Sequence, residues 1–337
     1  MLCGVRRVDI ETKCSPLPYD RGRKEGATVR HLFKAMEISR PLLWLNTSMP
    51  LLWGAVALRG RVEASDVVLF AFFLFPYNYF LHAPNDYYDF ETDALNPRKG
   101  GVEGAITPKP LLARHAIAST LLLVPFLIFT VVALPPLALL SLTALLLLSA
   151  AYNAPPTRLK GRPILDSLTN VLYAIPLQVG LHAAGSTNII DAPVLVFAAW
   201  GIGAHALTTI TDRDEDAAAG VRTIAVLLGR RGTALFAAFW FTVVGCALYA
   251  LTYGGRVALF ALPYLALCII GRNAAGEAGR RLYRFFLIAN VAIGALITLL
   301  VLLTLPGDGA LPAGLLALAG TTLALGVSVG RALVQRR

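Results

Sequence analysis

Residues 66–93 read DVVLFAFFLFPYNYFLHAPNDYYDFETD. From 66 to 83 the stretch is apolar for close to the length a helix needs to cross a bilayer. It then ends in four acids, Asp86, Asp89, Glu91 and Asp93. The apolar half of this pattern recurs along the chain, at roughly 41–59, 112–133, 135–151, 166–184, 192–210, 233–252, 257–271, 283–304 and 310–332. The run at 257–271 is short and interrupted by Pro263. Of the 337 residues 56% are hydrophobic and 15% charged, where a soluble protein carries about a quarter charged. The expected fold is an all-α polytopic membrane bundle.

A net charge of +10 would fit a nucleic-acid binder, but its placement excludes that reading. Nine Lys and Arg precede the first run, and 4, 3, 4 and 4 fall in the even-numbered loops, with three after the last run. Only Arg59, Arg61 and Arg256 lie on the other side. This positive-inside bias predicts an integral cell-membrane protein with ten spans and both termini cytoplasmic. The partner of the basic excess is then anionic lipid. Residues 1–40 are polar and basic without an apolar core, so they read as a flexible or interfacial tail rather than a cleaved secretory signal. Cys3, Cys14, Cys246 and Cys268 have no metal-site spacing, and the last two read as packing residues.

Eight of the 20 acidic residues sit in two windows, the one above and Asp212, Asp214, Glu215 and Asp216. Each follows an even-numbered span, so both are expected at the cytoplasmic face, each with arginines beyond it. If the second span stays helical, Asp86, Asp89 and Asp93 share one face, as do Asp212 and Asp216. Like charges stacked this way call for a cation. Hard oxygen ligands select magnesium or calcium, and magnesium takes one or two carboxylates plus substrate phosphates. Two such faces would hold metals and, through them, a diphosphate whose departure from an allylic carbon leaves a carbocation. Arg98, Lys99, Arg158, Lys160 and Arg222 follow the windows or lie in the loop between them and would complete a clamp on phosphate oxygens.

Asn85-Asp86-x-x-Asp89-x-x-x-Asp93 with Asp212-x-x-x-Asp216 resembles the paired signature of the UbiA family of intramembrane prenyltransferases. The loop from Tyr152 through Pro155 and Arg158 to Lys160 resembles that family's basic segment. The resemblance implies a bundle of nine helices around a cavity open to the cytoplasmic face, and a magnesium-dependent enzyme acting on an allylic prenyl diphosphate and a lipophilic acceptor. It assigns magnesium and diphosphate to Asn85, Asp89, Asp93, Asp212 and Asp216, with Asp86 in the same catalytic cluster. Tyr152, Arg158 and Lys160 would meet the diphosphate. Ten runs exceed nine by one. The division expected is therefore a tail (1–38), a prenyltransferase domain (39–304) and an added C-terminal helix (305–337).

Three further stretches resemble the lycopene elongase group, which adds dimethylallyl units to lycopene: Asn96 to Ala105, Arg162 to Asn170, and His205 through Gly220 and Thr223 to Gly229. Asn46, Thr47 and Ser48 in the first span depart from that group and point to a different acceptor. An aromatic, quinone or glycerophospholipid precursor is the alternative acceptor. An ion-coupled secondary transporter is the alternative class, disfavoured because the carboxylates cluster at helix ends. His82 and His205 are candidate proton acceptors or helix-bridging polar groups. Tyr87, Tyr88 and Tyr152 are candidate carbocation shields or interfacial residues, and Asn46 and Asn170 are candidate cavity polars.

Overall fold

The computed structural model describes residues 24–93, 107–252 and 255–334, and among these no strand occurs. Eight helical segments are long and apolar enough to cross a membrane: Pro41–Arg59, Ala64–Tyr88, Lys109–Ala133, Pro136–Asn153, Ala192–Thr209, Ile224–Leu251, Gly276–Thr304 and Gly307–Val329. The two remaining expected spans differ. The run at 166–184 is split into α8 (Leu165–Leu168), a 3-10 turn (Thr169–Tyr173) and α9 (Ile175–Ala183). The run at 257–271 starts as a 3-10 turn (Arg256–Ala261), and Pro263 opens α13 (Leu262–Gly271) rather than breaking it. Proline fits the first helical turn because its missing N–H would be unpaired there anyway. Residues 24–38, expected as part of a flexible or interfacial tail, form helix α1 (Lys24–Ile38), which packs on α4 (Pro76–Tyr88) and buries Ala35 and Ile38.

The second span is two helices, α3 (Ala64–Leu74) and α4, with a break at Phe75 ahead of Pro76. Proline removes a helical hydrogen bond, and in lipid the freed carbonyls need partners from within the protein. Asn78 Nδ2 donates to the Phe73 carbonyl (2.7 Å), as does Thr47 Oγ1 (2.8 Å), and Asn78 also donates to Thr47 (2.8 Å). Ser48 is equally buried and bonds the Trp44 carbonyl (2.9 Å). Thr47 and Ser48 therefore answer backbone needs of the first two spans, and the acceptor role inferred for them is corrected. Only Asn46 of that trio faces a cavity.

Alongside two smaller apolar clusters, two large ones hold most of the bundle. One joins α2 (Leu45–Arg59), α3, α4, α6 (Lys109–Ala133), α7 (Pro136–Asn153), α9 and α15 (Gly307–Val334). The other joins α10 (Ala192–Thr209), α12 (Ile224–Leu251), α13 and α14 (Gly276–Thr304). Trp53 Nε1 donates to Thr298 Oγ1 (3.0 Å) between them. The C-terminal α15 seats Ala313, Ala317 and Ala324 in the first cluster beside Trp44 and Phe73.

The first cluster depends on how closely α2 approaches α9. A Cβ added at Gly180 would lie 2.2 Å from the Leu51 carbonyl oxygen, and one at Gly54 would lie 2.4 Å from that of Leu177. These are backbone atoms and cannot give way, so the two glycines set the crossing distance. Gly180→Ala is expected to cost about 1–3 kcal/mol through overpacking. Gly294→Ala, where nothing lies within 4 Å, should leave thermal stability in detergent unchanged. Equal melting temperatures for the two variants would refute the close approach.

Candidate active site

The second span ends where the first acidic motif begins. α4 stops at Tyr88, Asp89 is its C-cap (φ −97°, ψ 6°), and a fresh turn, α5, runs Phe90–Asp93. The expected common face of Asp86, Asp89 and Asp93 is therefore bent apart. Asp86 turns inward, 1% exposed, and accepts from Arg40 at 3.0 Å. Asp89 turns toward the basic loop, accepting from Arg158 (2.9 Å) and Lys160 (2.5 Å). Asp93 follows one turn later, its N–H donating to the Asp89 carbonyl (2.7 Å), and adds its charge to the surroundings of Lys160. The Asn85 amide lies 3.2 Å from both Asp89 Oδ2 and Lys160 Nζ, and with its nitrogen assigned toward Asp89 it donates there and accepts from Lys160.

The two arginines that meet these carboxylates share a backbone feature. Arg40 (φ 55°) and Arg158 (φ 37°) are left-handed without being glycine. Such a conformation costs about 1 kcal/mol, and each position is backed by a charge-assisted hydrogen bond. Arg40 precedes Pro41, which disfavours the helical state for the residue before it and so starts the first span with a turn.

The second motif begins as the C-terminus of α10 gives way to α11 (Arg213–Ala218). Asp212 and Asp216 stay one turn apart, joined by the Asp216 N–H to the Asp212 carbonyl (2.8 Å). Asp216 Oδ2 accepts from Thr223 Oγ1 (3.1 Å). Glu91 and Asp214 face outward and pair with Lys109 and with Arg213 and Arg230.

Both motifs meet one cavity of about 230 Å³ between the two apolar clusters. Asn85 and Asp212 lie on its wall with Arg40, Asn46, His82, Tyr152, Asn170 and His205. Tyr152 OH lies 3.3 Å from His205 Nε2, and His205 Nδ1 lies 3.2 Å from Ser167 Oγ. Tyr173, Trp200, Tyr283 and Phe286 supply an aromatic lining. Tyr87 and Tyr88, read as carbocation shields or interfacial residues, line a separate apolar groove of about 530 Å³ between α4, α6 and α7 and not the cavity. Asn153, on the wall of that groove, touches Asn85 at 3.0 Å. Arg222 is exposed, and no described contact ties it to either motif. Arg98 and Lys99, like the stretch from Asn96 to Ala105, lie outside the described residues.

Sequence reasoning missed Arg40, Asn153, Tyr173, Trp200 and the buried Asp166. Arg40 and Asp166 each carried a signal, a charge at the very start of an apolar run. Among the described residues no three acidic, histidine or cysteine side chains converge on one point. A metal held here would take one or two carboxylates from each motif and complete its shell with other oxygens, the habit of magnesium. The all-oxygen donor set of Asn85, Asp89, Asp93, Asp212 and Asp216 fits that ion.

Comparison with known proteins follows this geometry. A model of the UbiA prenyltransferase family matches residues 47–290. A lycopene elongase/hydratase of Haloferax volcanii is 34% identical over 83% of this chain and 92% of its own length. One from Corynebacterium glutamicum is 32% identical over 78% and 94%. Among solved structures, a UbiA homologue of Archaeoglobus fulgidus bound to GPP and Mg2+ superposes with a TM-score of 0.57 at 18% identity, covering 78% of this chain and 99% of that one. The apo UbiA homologue of Aeropyrum pernix K1 gives 0.57 at 19%, covering 76% and 97%. These likenesses support the all-helical membrane fold.

The electrostatics of Asp89 are open to a direct test. Burial pushes its carboxyl up, but the charges and hydrogen bonds of Lys160 and Arg158 outweigh burial and hold it below the ordinary carboxylate range. A carboxyl lowered by folding stabilises the fold above its unfolded range, and that contribution disappears as pH falls through the folded value. The stability difference between wild type and Asp89→Asn should thus stay flat down to about pH 4 and shrink below it. In a Lys160→Met background the loss below about pH 4 should be smaller, because folding then lowers the Asp89 carboxyl less. Shrinkage already above about pH 5 in the wild type would contradict the pairing.

Proposed function

The chain belongs to the UbiA prenyltransferase family, and we propose that it transfers a dimethylallyl group from its diphosphate to an end of lycopene or a related carotenoid, with magnesium. One observation carries the site: Asn85 of the first acidic motif and Asp212 of the second, far apart in sequence, line one cavity, and Asp89, one turn from Asn85, pairs with Arg158 and Lys160. The acceptor class rests on the lycopene elongase/hydratase relatives, matched over most of their length. We place the site at the cytoplasmic face, following the charge bias of the loops.

Asn85, Asp89, Asp93, Asp212 and Asp216 would hold the magnesium, which neutralises the charge growing on the leaving diphosphate. Arg158 presents a planar fork and Lys160 a point charge to phosphate oxygens. The allylic carbon–oxygen bond breaks with both electrons going to the diphosphate, leaving an allylic cation in the cavity. Tyr152, Tyr173 and Trp200 turn aromatic surface to that space and stabilise a cation there through their quadrupoles. The terminal double bond of the polyene then supplies the electrons of the new carbon–carbon bond, and a tertiary cation forms on the acceptor. That cation ends by losing a proton or by taking up water, which then loses one. His205, hydrogen-bonded through both nitrogens to Tyr152 and Ser167, is the base best placed on the cavity wall. The groove lined by Ala113, Ala116 and Thr120 is a slender apolar bed beside the site, suited to a polyene.

Purified protein in liposomes would be given dimethylallyl or geranylgeranyl diphosphate with lycopene, 4-hydroxybenzoate or a glyceryl phosphate lipid, with and without magnesium. A longer polyene from dimethylallyl diphosphate and lycopene, only with magnesium, is the expected product. Asp89→Ala and Asp212→Ala should each slow it by about 10²–10³ or more. Transfer to another acceptor would overturn the carotenoid assignment. Variants as active as wild type would overturn the site.

A further inference from the structure

Asp166 is fully buried at the start of the broken fifth span and is not part of the cavity lining. Its Oδ1 accepts from the Ser167 N–H (2.9 Å), and its Oδ2 accepts from the Ile224 N–H (2.8 Å), 58 residues away. Ile224 is the first residue of α12. The first N–H groups of a helix have no partner inside it, and a carboxylate there is favoured by the helix dipole as well.

A helix that starts after threonine ordinarily caps itself, the threonine hydroxyl accepting from an N–H one turn in. Thr223 occupies that position in α12 and makes no such bond. Its hydroxyl instead donates to Asp216 Oδ2 at 3.1 Å. Asp166, from another segment, takes the N–H of Ile224, the residue next to Thr223 and the first open donor of α12. The same short turn serves the cavity as well. The Asp166 carbonyl accepts from Asn170 (2.8 Å), and Ser167 meets His205 (3.2 Å).

We propose that Asp166 is a positioning residue for the second acidic motif: by holding the Ile224 N–H at the start of α12, it fixes the adjoining Thr223, whose hydroxyl orients the Asp216 carboxylate. The inference rests on reading Asp212 and Asp216 as ligands of metal and diphosphate. Partners one step behind a metal ligand usually contribute about ten- to hundredfold in metal affinity.

The test uses the full-length protein in detergent, with Mn2+ as a spectroscopic probe and inorganic pyrophosphate present. Mn2+ affinity is read by electron paramagnetic resonance, and backbone exchange at 223–226 by hydrogen–deuterium exchange. Asp166→Ala should speed that exchange and weaken Mn2+ binding about tenfold. Asp166→Asn keeps an oxygen for the Ile224 N–H and should restore most of the affinity. Thr223→Val should weaken Mn2+ binding comparably while leaving the exchange near wild type. If Asp166→Ala speeds exchange but Mn2+ affinity stays within about twofold, Asp166 is only a cap and the proposal fails. If Asp166→Ala does not fold, unchanged affinity in Thr223→Val overturns it equally. Wild-type protein that binds no Mn2+, or binds it as well after Asp212→Ala, overturns the metal reading itself and this inference with it.

Discussion

Inside a bilayer a polar backbone group that leaves its helix must find a partner within the protein, and this constraint shapes both the bundle and its site. Among the described residues the helices are interrupted at several places, and two of these interruptions bear on the first two spans and the cavity. At Phe75 the carbonyl freed ahead of Pro76 is taken by Asn78 and Thr47. Between 164 and 175 the fifth span is reduced to short turns, and its groups are taken by Thr169, Asn170 and Asp166. The second break puts Asn170 and Tyr173 on the wall of the central cavity, where a regular helix would have turned most of its side chains to neighbours or lipid. The stitching residues and the cavity residues are thus products of the same interruptions.

Charge is handled by a similar pairing across the fold. Three buried or half-buried groups at one end of the bundle, Asp86, Asp89 and Lys160, come from segments separated by about seventy residues, and none is left to lipid. The cations reach them from turns, Arg40 before the first span and Arg158 in the fourth loop, both in left-handed backbone. Turns at helix ends can aim a long side chain sideways along the membrane surface, which a regular helix does poorly. The pairs also lock the turns, so the basic loop is held against the acidic motif by the residues that give the pair its charge.

Much of this was legible in the sequence. The apolar runs and the two acidic windows are one-dimensional features: eight of the runs map onto helices long enough to cross a membrane, and the windows onto helix ends. Two kinds of feature were not legible. Helix breaks depend on whether a partner exists for the freed carbonyl, and Asn78 is far from obvious as the partner of Phe73 before the chain is folded. The face on which a residue sits past a helix end is also unreadable: the i, i+3, i+7 spacing of Asp86, Asp89 and Asp93 predicts one face, but the end of α4 at Tyr88 sends Asp86 and Asp89 to different cations. Thr47 and Ser48 were misread for the same reason, since a polar residue in a span can serve the backbone as well as a substrate.

The position of the cavity separates an ionising prenyltransferase from an ion-coupled carrier on physical grounds. A carrier keeps its charges near the bilayer midplane and moves two halves around them. Here the acids stand at helix ends, tied to loop cations, while the interior of the cavity is aromatic and amide-lined. An allylic carbocation needs this division of labour. The leaving diphosphate requires fixed positive charge at the polar end, and the cation left behind requires a pocket rich in π surface and poor in nucleophiles. Asn85 stands at the junction, touching Asp89 and Lys160 on one side and Asn153 of the apolar groove on the other. A donor that carries its charge in water and an acceptor that travels in lipid would therefore meet where the second span ends, within one turn of the first acidic motif.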